Sequence, residues 1–500
     1  MGLHIGIDFG TSTNYVVRWN EDTHAVEPVG LGGYGRSQIF PNVIYYENSD
    51  NFLVGDAAVR KSKLDIKNGV WEIKRHLEED GFSKYIPNIS KTLSSIEIAR
   101  DIFRWIKQKV EEKYGGTAID DVVISVPFAF QNKERQKIKN AAVQAGLHVR
   151  GLIEEPVAAA LSFGLLDDVS SGKKEKIMVF DLGGGTFDVT IFDFLKKSAG
   201  NFSIHVLATG GEKELGGVDI DNLVTDKICQ RMEVDFGDDG YRMMAFPPEQ
   251  QEREMANMRN YAVELKQNLS SSEDEDLFLD SKINDDWVID TTVPRVSFEQ
   301  WLTEFLSHIK DAVETTLDDA QLDPEDIDRI ILVGGTSNIP IISQMLTDIF
   351  HKEPEKVKDP SVLVGEGAAI YCGMRYVEKT LDFDIVIGLS HAVGAKLGHG
   401  FEVLISRNSP YGTKSDIKVL PVRRKERDLE LNIFQGTRIK NQKIGYALMP
   451  KEILKVLSND KIGICLGTDE NDGTIFYELY DIDRNGNPTK IIAKEDLKGE

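Results

Sequence analysis

The sequence predicts an α/β protein built from two similar lobes and followed by a small all-β domain. Strand patterns alternate with helical patterns as far as about residue 380, which is typical of sheets covered by helices. A unit of strand, aspartate, glycine, hydroxyl residue and second strand occurs twice, in residues 4–19 and 177–194. Such a repeat indicates two lobes of related structure. Beyond about residue 382 helical periodicity nearly vanishes and short β-rich runs alternate with turns, which indicates a separate β domain.

Composition and charge narrow the class of protein. The chain has 500 residues, 41% of them apolar, which is enough for about three domains with sizeable cores. Its net charge of −23 opposes binding to a phosphate backbone, so no nucleic acid partner is expected. The three cysteines are isolated and lack metal spacing, which favours a reducing compartment. No apolar run approaches the length of a membrane span, and the first strand leaves no room for a signal peptide. We therefore expect a cytoplasmic protein without a membrane partner.

The first copy of the repeated unit is HIGIDFGTSTNYVVRW. An apolar strand ends near Asp8, and a second strand begins at about Tyr15. Gly10, Thr11 and Ser12 lie between the two strands and offer small and hydroxyl groups to a ligand. This pattern predicts a tight turn that can approach phosphate oxygens.

The second copy, FDLGGGTFDVTIF, has three adjacent glycines in its turn: Gly183, Gly184 and Gly185. Glycines allow positive φ and let the backbone approach a ligand without Cβ clashes, and their N–H groups can bind phosphate. Asp181 and Asp188 flank the turn, and carboxylates beside bound phosphate indicate a divalent cation. The alternative is a glycine-rich hairpin with surface acids, and the repeat argues against it. Two such turns facing each other predict a nucleotide in the cleft between the lobes.

The segment between the two copies follows an α/β pattern with one interruption. Residues 32–95 are irregular and rich in Gly, Asn and charge, which indicates an inserted subdomain. Apolar residues then recur at helical spacing from Ile96 to Val110. A strand over Asp121–Pro127 and a helix over residues 133–147 come next, and residues 151–165 predict strand, turn and helix.

The segment after the second copy contains a further insertion at about residues 212–292, which the sequence predicts to be helical as far as about Asp280. Gly334 and Gly335 stand at a predicted strand–helix junction, which suits the flat face or phosphate of a ligand. The predicted domains are residues 1–380 with the two insertions, a linker at 381–388, and a β domain at 389–500.

With these stretches in hand, the chain resembles the seventy-kilodalton heat-shock chaperone family of the DnaK type. The resemblance over residues 1–380 is carried by GIDFGTS, VVISVPFAFQNKERQ, IEEPVAAALSFG, VFDLGGGTFDVT and ILVGGTSNIP, in the family's order. A weaker resemblance over the β domain is carried by RNSPYGTK, LELNIFQG and DIDRNG.

This resemblance implies an actin-like two-lobed ATPase, a duplicated fold of the ribonuclease H type, followed by a β-sandwich. The implied function is that of an ATP-dependent molecular chaperone, which hydrolyses Mg-ATP to ADP and couples the reaction to binding of unfolded polypeptide. The implied cofactors are ATP or ADP and Mg²⁺. The implied partners are extended peptide clients and, with them, a J-domain co-chaperone and a nucleotide-exchange factor.

The resemblance also implies roles for individual residues. The catalytic set is Lys74, Asp181, Thr186, Asp188, Glu155 and Asp8. The magnesium ion is expected near Asp8, Asp181 and Glu155, mostly through water. The nucleotide-binding set is Gly10, Thr11, Ser12, Gly183, Gly184, Gly185, Gly210, Gly211, Lys266, Gly334, Gly335, Thr336 and Asn338. The residues that relay nucleotide state to the β domain are Pro127, Arg135, Asp384 and Ile385.

The sequence departs from the family on the adenosine side of the site. Asn338 stands where the family has an arginine that stacks on adenine, Val263 and Gln267 replace other adenosine contacts, and Ser361 replaces an aspartate. The chain also ends where the family's helical lid is expected to begin, which predicts a short form without a lid. These departures predict weak adenine binding. They favour the alternative function, a nucleotide-sensing regulator or co-chaperone with little turnover.

Overall fold

The computed structural model describes residues 2–498 with the exception of short segments. The exceptions are 33–37, 78, 80, 129, 131, 164–171, 199–200, 213–214, 356, 358, 379–383, 387–391, 398–399, 407–408, 424, 437–440 and 471–472. For residues 196–198, 201–202, 384–386 and 441–442 the backbone alone is described. Within the chain as described, no helix is long and apolar enough to cross a membrane.

The first lobe begins the chain and alternates strands with helices. Its elements are β1 Leu3–Phe9, β2 Thr13–Asn20, β3 Ala25–Pro28, β4 Ile39–Pro41, β5 Val43–Tyr46, β6 Phe52–Val54, α1 Asp56–Leu64, β7 Gly69–Trp71, α2 Ile73–His76, β8 Ser83–Ile86, β9 Lys91–Ser94, α3 Ser95–Lys113, β10 Ile119–Val126, α4 Asn132–Gln144, β11 Val149–Glu154 and α5 Glu155–Ser162.

The second lobe follows with a similar alternation. Its elements are β12 Lys174–Leu182, β13 Phe187–Ser198, β14 Asn201–Glu212, α6 Gly217–Phe236, α7 Pro248–Leu269, β15 Asp274–Asp280, β16 Val288–Pro294, α8 Arg295–Trp301, α9 Thr303–Ala320, β17 Arg329–Val333, α10 Pro340–Phe350 and α11 Leu363–Cys372.

The β domain completes the chain. Its elements, preceded by one strand of the linker, are β18 Asp384–Val386, β19 Val393–Leu397, β20 Gly400–Ile405, β21 Lys418–Pro421, β22 Leu429–Gly436, β23 Asn441–Met449, α12 Lys451–Lys455, β24 Lys461–Thr468, β25 Ile475–Ile482 and β26 Pro488–Asp496.

The central sheets of the two lobes share one plan. The strand order is β11-β10-β1-β2-β3 in the first lobe and β17-β12-β13-β14-β18 in the second. In each sheet three successive strands run antiparallel, and the first of the three also pairs in parallel with β10 or β17. The duplication predicted from the repeated unit is therefore confirmed. Because the two turns follow equivalent strands, each lies at the same edge of its own sheet.

Local sequence explains why α3 begins where the periodicity predicts. The Ser94 hydroxyl accepts a hydrogen bond from the Glu97 N–H at 3.3 Å, and the Glu97 carboxylate accepts one from the Ser94 N–H at 2.9 Å. This capping box satisfies two N–H groups at the start of the helix. Along the helix Ile98, Ile102 and Ile106 are fully buried and pack on the first sheet, which fixes the face of the helix that points inward.

The insertion in the second lobe differs in part from its predicted structure. The helices α6 and α7 are present, but residues 274–280 form β15, which pairs with β16 as an antiparallel hairpin. The prediction of helix as far as Asp280 was wrong for this stretch. In the structure Leu277 and Leu279 are buried while Phe278 between them is exposed, as expected for a half-buried strand. The sequence does not show this alternation, because all three residues are apolar.

The β domain has two four-stranded sheets, ordered β20-β19-β22-β23 and β21-β24-β25-β26. Buried residues of both sheets, such as Ile433 and Leu466, meet in one hydrophobic core, as expected for a sandwich. The linker strand β18 instead joins the sheet of the second lobe, where Asp384 pairs with Ser203 and Ile385 with Ile204 in parallel register. The other predicted linker residues, 381–383 and 387–388, lie outside the described residues.

Candidate nucleotide site

The two repeated turns face each other across a cleft. A Cβ atom added to Gly184 would lie 2.3 Å from the Ser12 Oγ, and one added to Gly185 would lie 2.6 Å from the Thr11 Oγ1. Glycine is therefore required here by close approach between the lobes. The expectation of positive φ was wrong, because Gly183 is not among the positive-φ residues of the described chain, nor are the two glycines after it.

The first turn is fixed by side chains of its own lobe. Asn42 is fully buried, its Nδ2 donates to the carbonyl of Gly10 at 2.6 Å, and its N–H donates to the carbonyl of Ser12 at 2.8 Å. The Ser125 hydroxyl donates to the Asp8 Oδ1 at 2.8 Å. Neither Asn42 nor Ser125 was predicted as a site residue. Because these bonds join β1 to a loop and to β10, the turn and its carboxylate have a fixed position.

The second turn is fixed by the start of α6 and by the strand–helix junction after β17. The N–H groups of Gly217 and Val218 donate to the carbonyls of Gly183 and Gly184 at 3.0 and 2.7 Å. The Thr336 hydroxyl also donates to the carbonyl of Gly183, at 2.8 Å. Thr336 was predicted as a nucleotide-binding residue. In the structure it links the second turn to the junction after β17.

The cleft between the turns contains about 520 Å³ of space that no protein atom fills, and this space includes open solvent. Twelve predicted residues line it: Asp8, Gly10, Thr11, Ser12, Lys74, Glu155, Asp181, Gly183, Gly184, Thr186, Gly334 and Gly335. Four further lining residues were not predicted as site residues: Thr13, Pro360, Ser361 and Val364. Seven predicted residues do not line it: Gly185, Asp188, Gly210, Gly211, Lys266, Thr336 and Asn338.

Lys74 brings a positive charge into the cleft from the short helix α2. Its side chain is buried, and its Nζ donates to the Glu155 Oε1 at 2.5 Å. The same Nζ lies 5.8 Å from the centre of the Phe130 ring. Burial by itself lowers the pKa of Lys74, but the carboxylates of Glu155 and Asp8 outweigh it, so the pKa is raised. Lys74 is therefore a permanent cation beside the two turns.

The carboxylates of the cleft are buried with too little neighbouring positive charge to balance their own negative charge. Burial, with a contribution from Glu155, raises the pKa of Asp8 to about 7. Burial, with the charges of Glu155 and Asp188, raises the pKa of Asp181 well above its usual range. Carboxylates destabilised in this way favour a bound cation, and hard divalent ions take oxygen ligands.

These carboxylates do not form a direct cage. Among the described residues, no three His, Cys, Asp or Glu side chains are grouped closely enough to hold a metal ion together. The donor set of Asp8, Asp181 and Glu155 therefore fits a hydrated Mg²⁺, which usually keeps several of its waters.

The junction after β17 was predicted to contact adenosine. Gly334 has φ 81°, and a Cβ there would lie 2.4 Å from the Leu182 carbonyl, so glycine is required. Gly335 opens onto empty space. Asn338 is exposed, and its Nδ2 donates to the carbonyl of Gly335 at 3.1 Å. Lys266 lies nearby but pairs with Asp221 at 2.6 Å and donates to the carbonyl of Gly217 at 2.9 Å.

Gly210 and Gly211 lie in β14 and meet protein atoms. A Cβ at Gly210 would lie 2.0 Å from the Thr316 Oγ1 of α9, and one at Gly211 would lie 2.0 Å from the Phe187 carbonyl. Packing alone explains both glycines. Their contact with nucleotide stays a prediction.

Of the predicted relay residues, Arg135 lies at the boundary with the β domain. Pro127 is buried directly after β10. Arg135 is buried, pairs with the Glu154 Oε1 at 2.8 Å, and donates from Nε to the carbonyl of Phe130 at 3.1 Å. The Tyr411 hydroxyl of the β domain donates to the same Glu154 oxygen, and its ring lies 5.8 Å from the Arg135 guanidinium. Neither Glu154 nor Tyr411 was predicted.

A second set of bonds crosses the same boundary at Asn132, the first residue of α4. Its N–H donates to the Gln435 Oε1 at 3.3 Å, and its Oδ1 accepts from the Ile475 N–H at 2.8 Å. Asn132 and Gln435 are both buried. The β domain therefore contacts the first lobe through buried polar groups.

Comparison with known proteins agrees with this architecture. The family model described as Hsp70 protein matches residues 4–448. The chain is 32% identical over 442 residues to the chaperone protein DnaK of Thermosipho melanesiensis, which covers 87% of this chain and 70% of that protein. It is 31% identical over 442 residues to the DnaK of Thermosipho africanus and 32% identical over 446 residues to that of Thermotoga petrophila, with the same coverage. The chain thus belongs to the Hsp70 family, and its fold is the actin-like two-lobed ATPase followed by a β-sandwich.

Proposed function

We propose that the protein is an ATP-dependent molecular chaperone of the Hsp70 type, which hydrolyses Mg-ATP and couples the reaction to binding of extended polypeptide. The observation that carries this proposal is the buried Lys74 cation, which pairs with Glu155 in the cleft between the two turns. Groups with perturbed pKa values cluster at functional sites, and phosphoryl transfer uses a cation and a carboxylate-bound Mg²⁺ together.

The proposed roles at the phosphates follow from the geometry of the cleft. The turns Gly10–Ser12 and Gly183–Gly185 bind the phosphate oxygens, because successive backbone N–H groups of such turns can form an anion-binding concavity. Asp8, Asp181 and Glu155 hold the hydrated Mg²⁺, which neutralises phosphate charge when it is bound. Lys74 stabilises the negative charge that develops during phosphoryl transfer.

Two further residues are assigned to the attacking water. Thr186 follows the glycine turn and lines the cleft, while Asp188 is buried two residues further along and pairs in register with Asp181. Together they orient the water for attack in line with the leaving group.

The adenosine is assigned to Gly334, Gly335, Thr336 and Asn338, with Gly210, Gly211 and Lys266 completing the predicted set. The open space at Gly335 is the feature that supports this assignment, because no protein atom lies within 4 Å of the position of a Cβ there. Asn338 offers no charge to stack on adenine, so we propose that affinity for nucleotide is modest.

Coupling to the client is assigned to the boundary between the domains. Residues 1–380 form the proposed ATPase domain, 381–388 the linker and 389–500 the domain that binds clients by strand pairing and apolar pockets. Pro127 and Arg135 carry the nucleotide state from the cleft to the β domain, and Asp384 and Ile385 carry it along the linker. A J-domain co-chaperone and a nucleotide-exchange factor are proposed partners, and the cytoplasm is the proposed location.

Single-turnover hydrolysis of Mg-ATP tests the proposal, together with stopped-flow release of a fluorescent extended peptide. We expect slow hydrolysis and a peptide release rate that differs between ATP and ADP. Nucleotide binding without hydrolysis would instead support the nucleotide-sensing regulator. Hydrolysis without any peptide binding would remove the chaperone assignment.

A further inference from the structure

The short helix that carries Lys74 is bonded to the second lobe on both sides of the lysine. Glu72 directly precedes α2, and its carboxylate pairs with Arg259 of α7. Arg75 follows the lysine, pairs with Asp219 of α6 at 2.6 Å, and donates to the Gly185 carbonyl at 3.3 Å. Lys74 itself pairs with Glu155 of the first lobe. Its helix is thus the place where the first lobe contacts both nucleotide-facing helices of the second.

The backbone at Glu72 is in the left-handed region, with φ 54° and ψ 37°. Residues other than glycine rarely adopt it, and it persists where surrounding contacts fix it. Among the described residues, the non-glycine positions with positive φ are His24, Glu72, Ser90, Gln321 and His351. Of these, Glu72 is the one that lies beside the nucleotide cleft. The contact that fixes it reaches across to the other lobe.

The bond made by Arg75 reaches the phosphate turn. Asp219 also accepts a hydrogen bond from the Gly216 N–H at 2.8 Å and so caps α6. The first N–H groups of α6 in turn donate to the carbonyls of Gly183 and Gly184. Arg75 therefore connects the lysine helix to the turn that is assigned to the phosphates.

We propose that Glu72 and Arg75 are positioning residues, which place Lys74 for phosphoryl transfer only when the lobes are closed on nucleotide. An open cleft separates Glu72 from Arg259 and Arg75 from Asp219. The left-handed backbone at Glu72 then loses its support, and Lys74 leaves its place. Retention of nucleotide and placement of the lysine thus depend on the same contacts. This inference rests on the proposed ATPase function.

A charge swap between Glu72 and Arg259 tests whether their pairing positions Lys74. Glu72→Arg and Arg259→Glu each replace attraction across the cleft with repulsion. We expect each variant to release a fluorescent ADP analogue roughly fivefold faster and to hydrolyse ATP about fivefold more slowly in a single turnover, the upper range for a partly exposed pair. The double variant restores the attraction and is expected to return both rates to within about twofold of the wild type.

A more exposed ion pair between the first lobe and α7 provides a matched control. Lys67 and Glu249 are 4.0 Å apart and largely exposed, so Lys67→Ala is expected to change neither rate. Asn tolerates left-handed backbone, so Glu72→Asn removes the charge without adding strain and replaces Glu72→Arg if that variant does not fold. The positioning role would be overturned if both single variants showed the rates of Lys67→Ala. It would also be overturned if the double variant did not restore the rates of the wild type. A wild type that binds ADP without hydrolysing ATP would instead overturn the proposed function.

Discussion

Glu154 and Glu155 are neighbours in sequence but serve opposite sides of the first lobe. Both are buried at the junction of β11 and α5, and each pairs with one buried cation. Successive side chains at the end of a strand point in opposite directions, so Glu155 enters the nucleotide cleft while Glu154 faces the β domain. One strand end therefore contributes to two sites that belong to different steps of the proposed cycle.

The cations differ in a way that suits the two places. Glu155 pairs with Lys74, a compact charge on a flexible stem that can follow a phosphate oxygen during the reaction. Glu154 pairs with Arg135, whose planar group also bonds the carbonyl of Phe130 and so has a fixed orientation. The cleft thus contains a compact ammonium group on a flexible stem, and the domain boundary contains a planar guanidinium group with a fixed orientation.

The two carboxylates also differ in what completes their bonding. Glu155 lies among groups of the two lobes, whereas Glu154 takes a bond from Tyr411 of the β domain. The second oxygen of Glu154 is buried without a partner among the described residues. Separation of the domains therefore removes one of the few bonds that Glu154 makes. This difference makes Glu154 sensitive to docking of the β domain.

The largest expected effect comes from removing the ammonium group of Lys74. Lys74→Ala is expected to lower single-turnover ATP hydrolysis by about 10²-fold or more, as for loss of one group that stabilises transition-state charge. Nucleotide affinity should change much less. Lys63→Ala, which removes an exposed lysine of α1, is the control and should behave as wild type. Wild-type hydrolysis by Lys74→Ala would show that the charge is not used.

Breaking the pair between Glu154 and Arg135 tests the other side of the comparison. Glu154→Gln leaves the Arg135 charge buried without its carboxylate, and we expect a loss of about 3 kcal/mol in the free energy of unfolding measured in urea. Glu355→Gln is the matched control, because its pair with Arg329 is more exposed and should contribute about 1 kcal/mol or less. Equal losses in the two variants would mean that burial of the Glu154 pair has no special weight.

The third effect concerns the bond that crosses the domain boundary. Tyr411→Phe removes a hydrogen bond to a charged group, worth about 1.5–3 kcal/mol. Energy transfer between dyes on the two domains should show at least a tenfold shift toward the separated state. Tyr480→Phe is the control, because that hydroxyl donates to Glu478 at 2.7 Å within the β domain. If both variants leave docking unchanged, the Tyr411 bond is not what holds the domains together.

The sequence predicted one side of this comparison and, on the other side, Arg135 but not Glu154 or Tyr411. The repeated unit and Lys74 were predicted, and the structure brings them together in one cleft. Glu154 carried no local signal, because its partners Arg135 and Tyr411 are 19 and 257 residues away and only tertiary structure brings them together. The glycine turn was predicted from positive φ, which is wrong, and from close approach to a ligand, which stays a prediction; the structure shows close approach to Ser12 and Thr11 instead.

The smallest effect is expected at Asn338, on the predicted adenosine side of the site. Asn338 is exposed and bonds only the Gly335 carbonyl among the contacts described for it, so its side chain has no charge to place over a ring. Asn338→Arg adds a group that can stack on adenine, and at an exposed position such a contact is worth about 1 kcal/mol. Calorimetry should therefore show roughly fivefold tighter binding of ADP. Asn338→Ala should bind as wild type, which separates gain of the cation from loss of the amide. Equal affinity of Asn338→Arg and wild type would place adenine away from this junction.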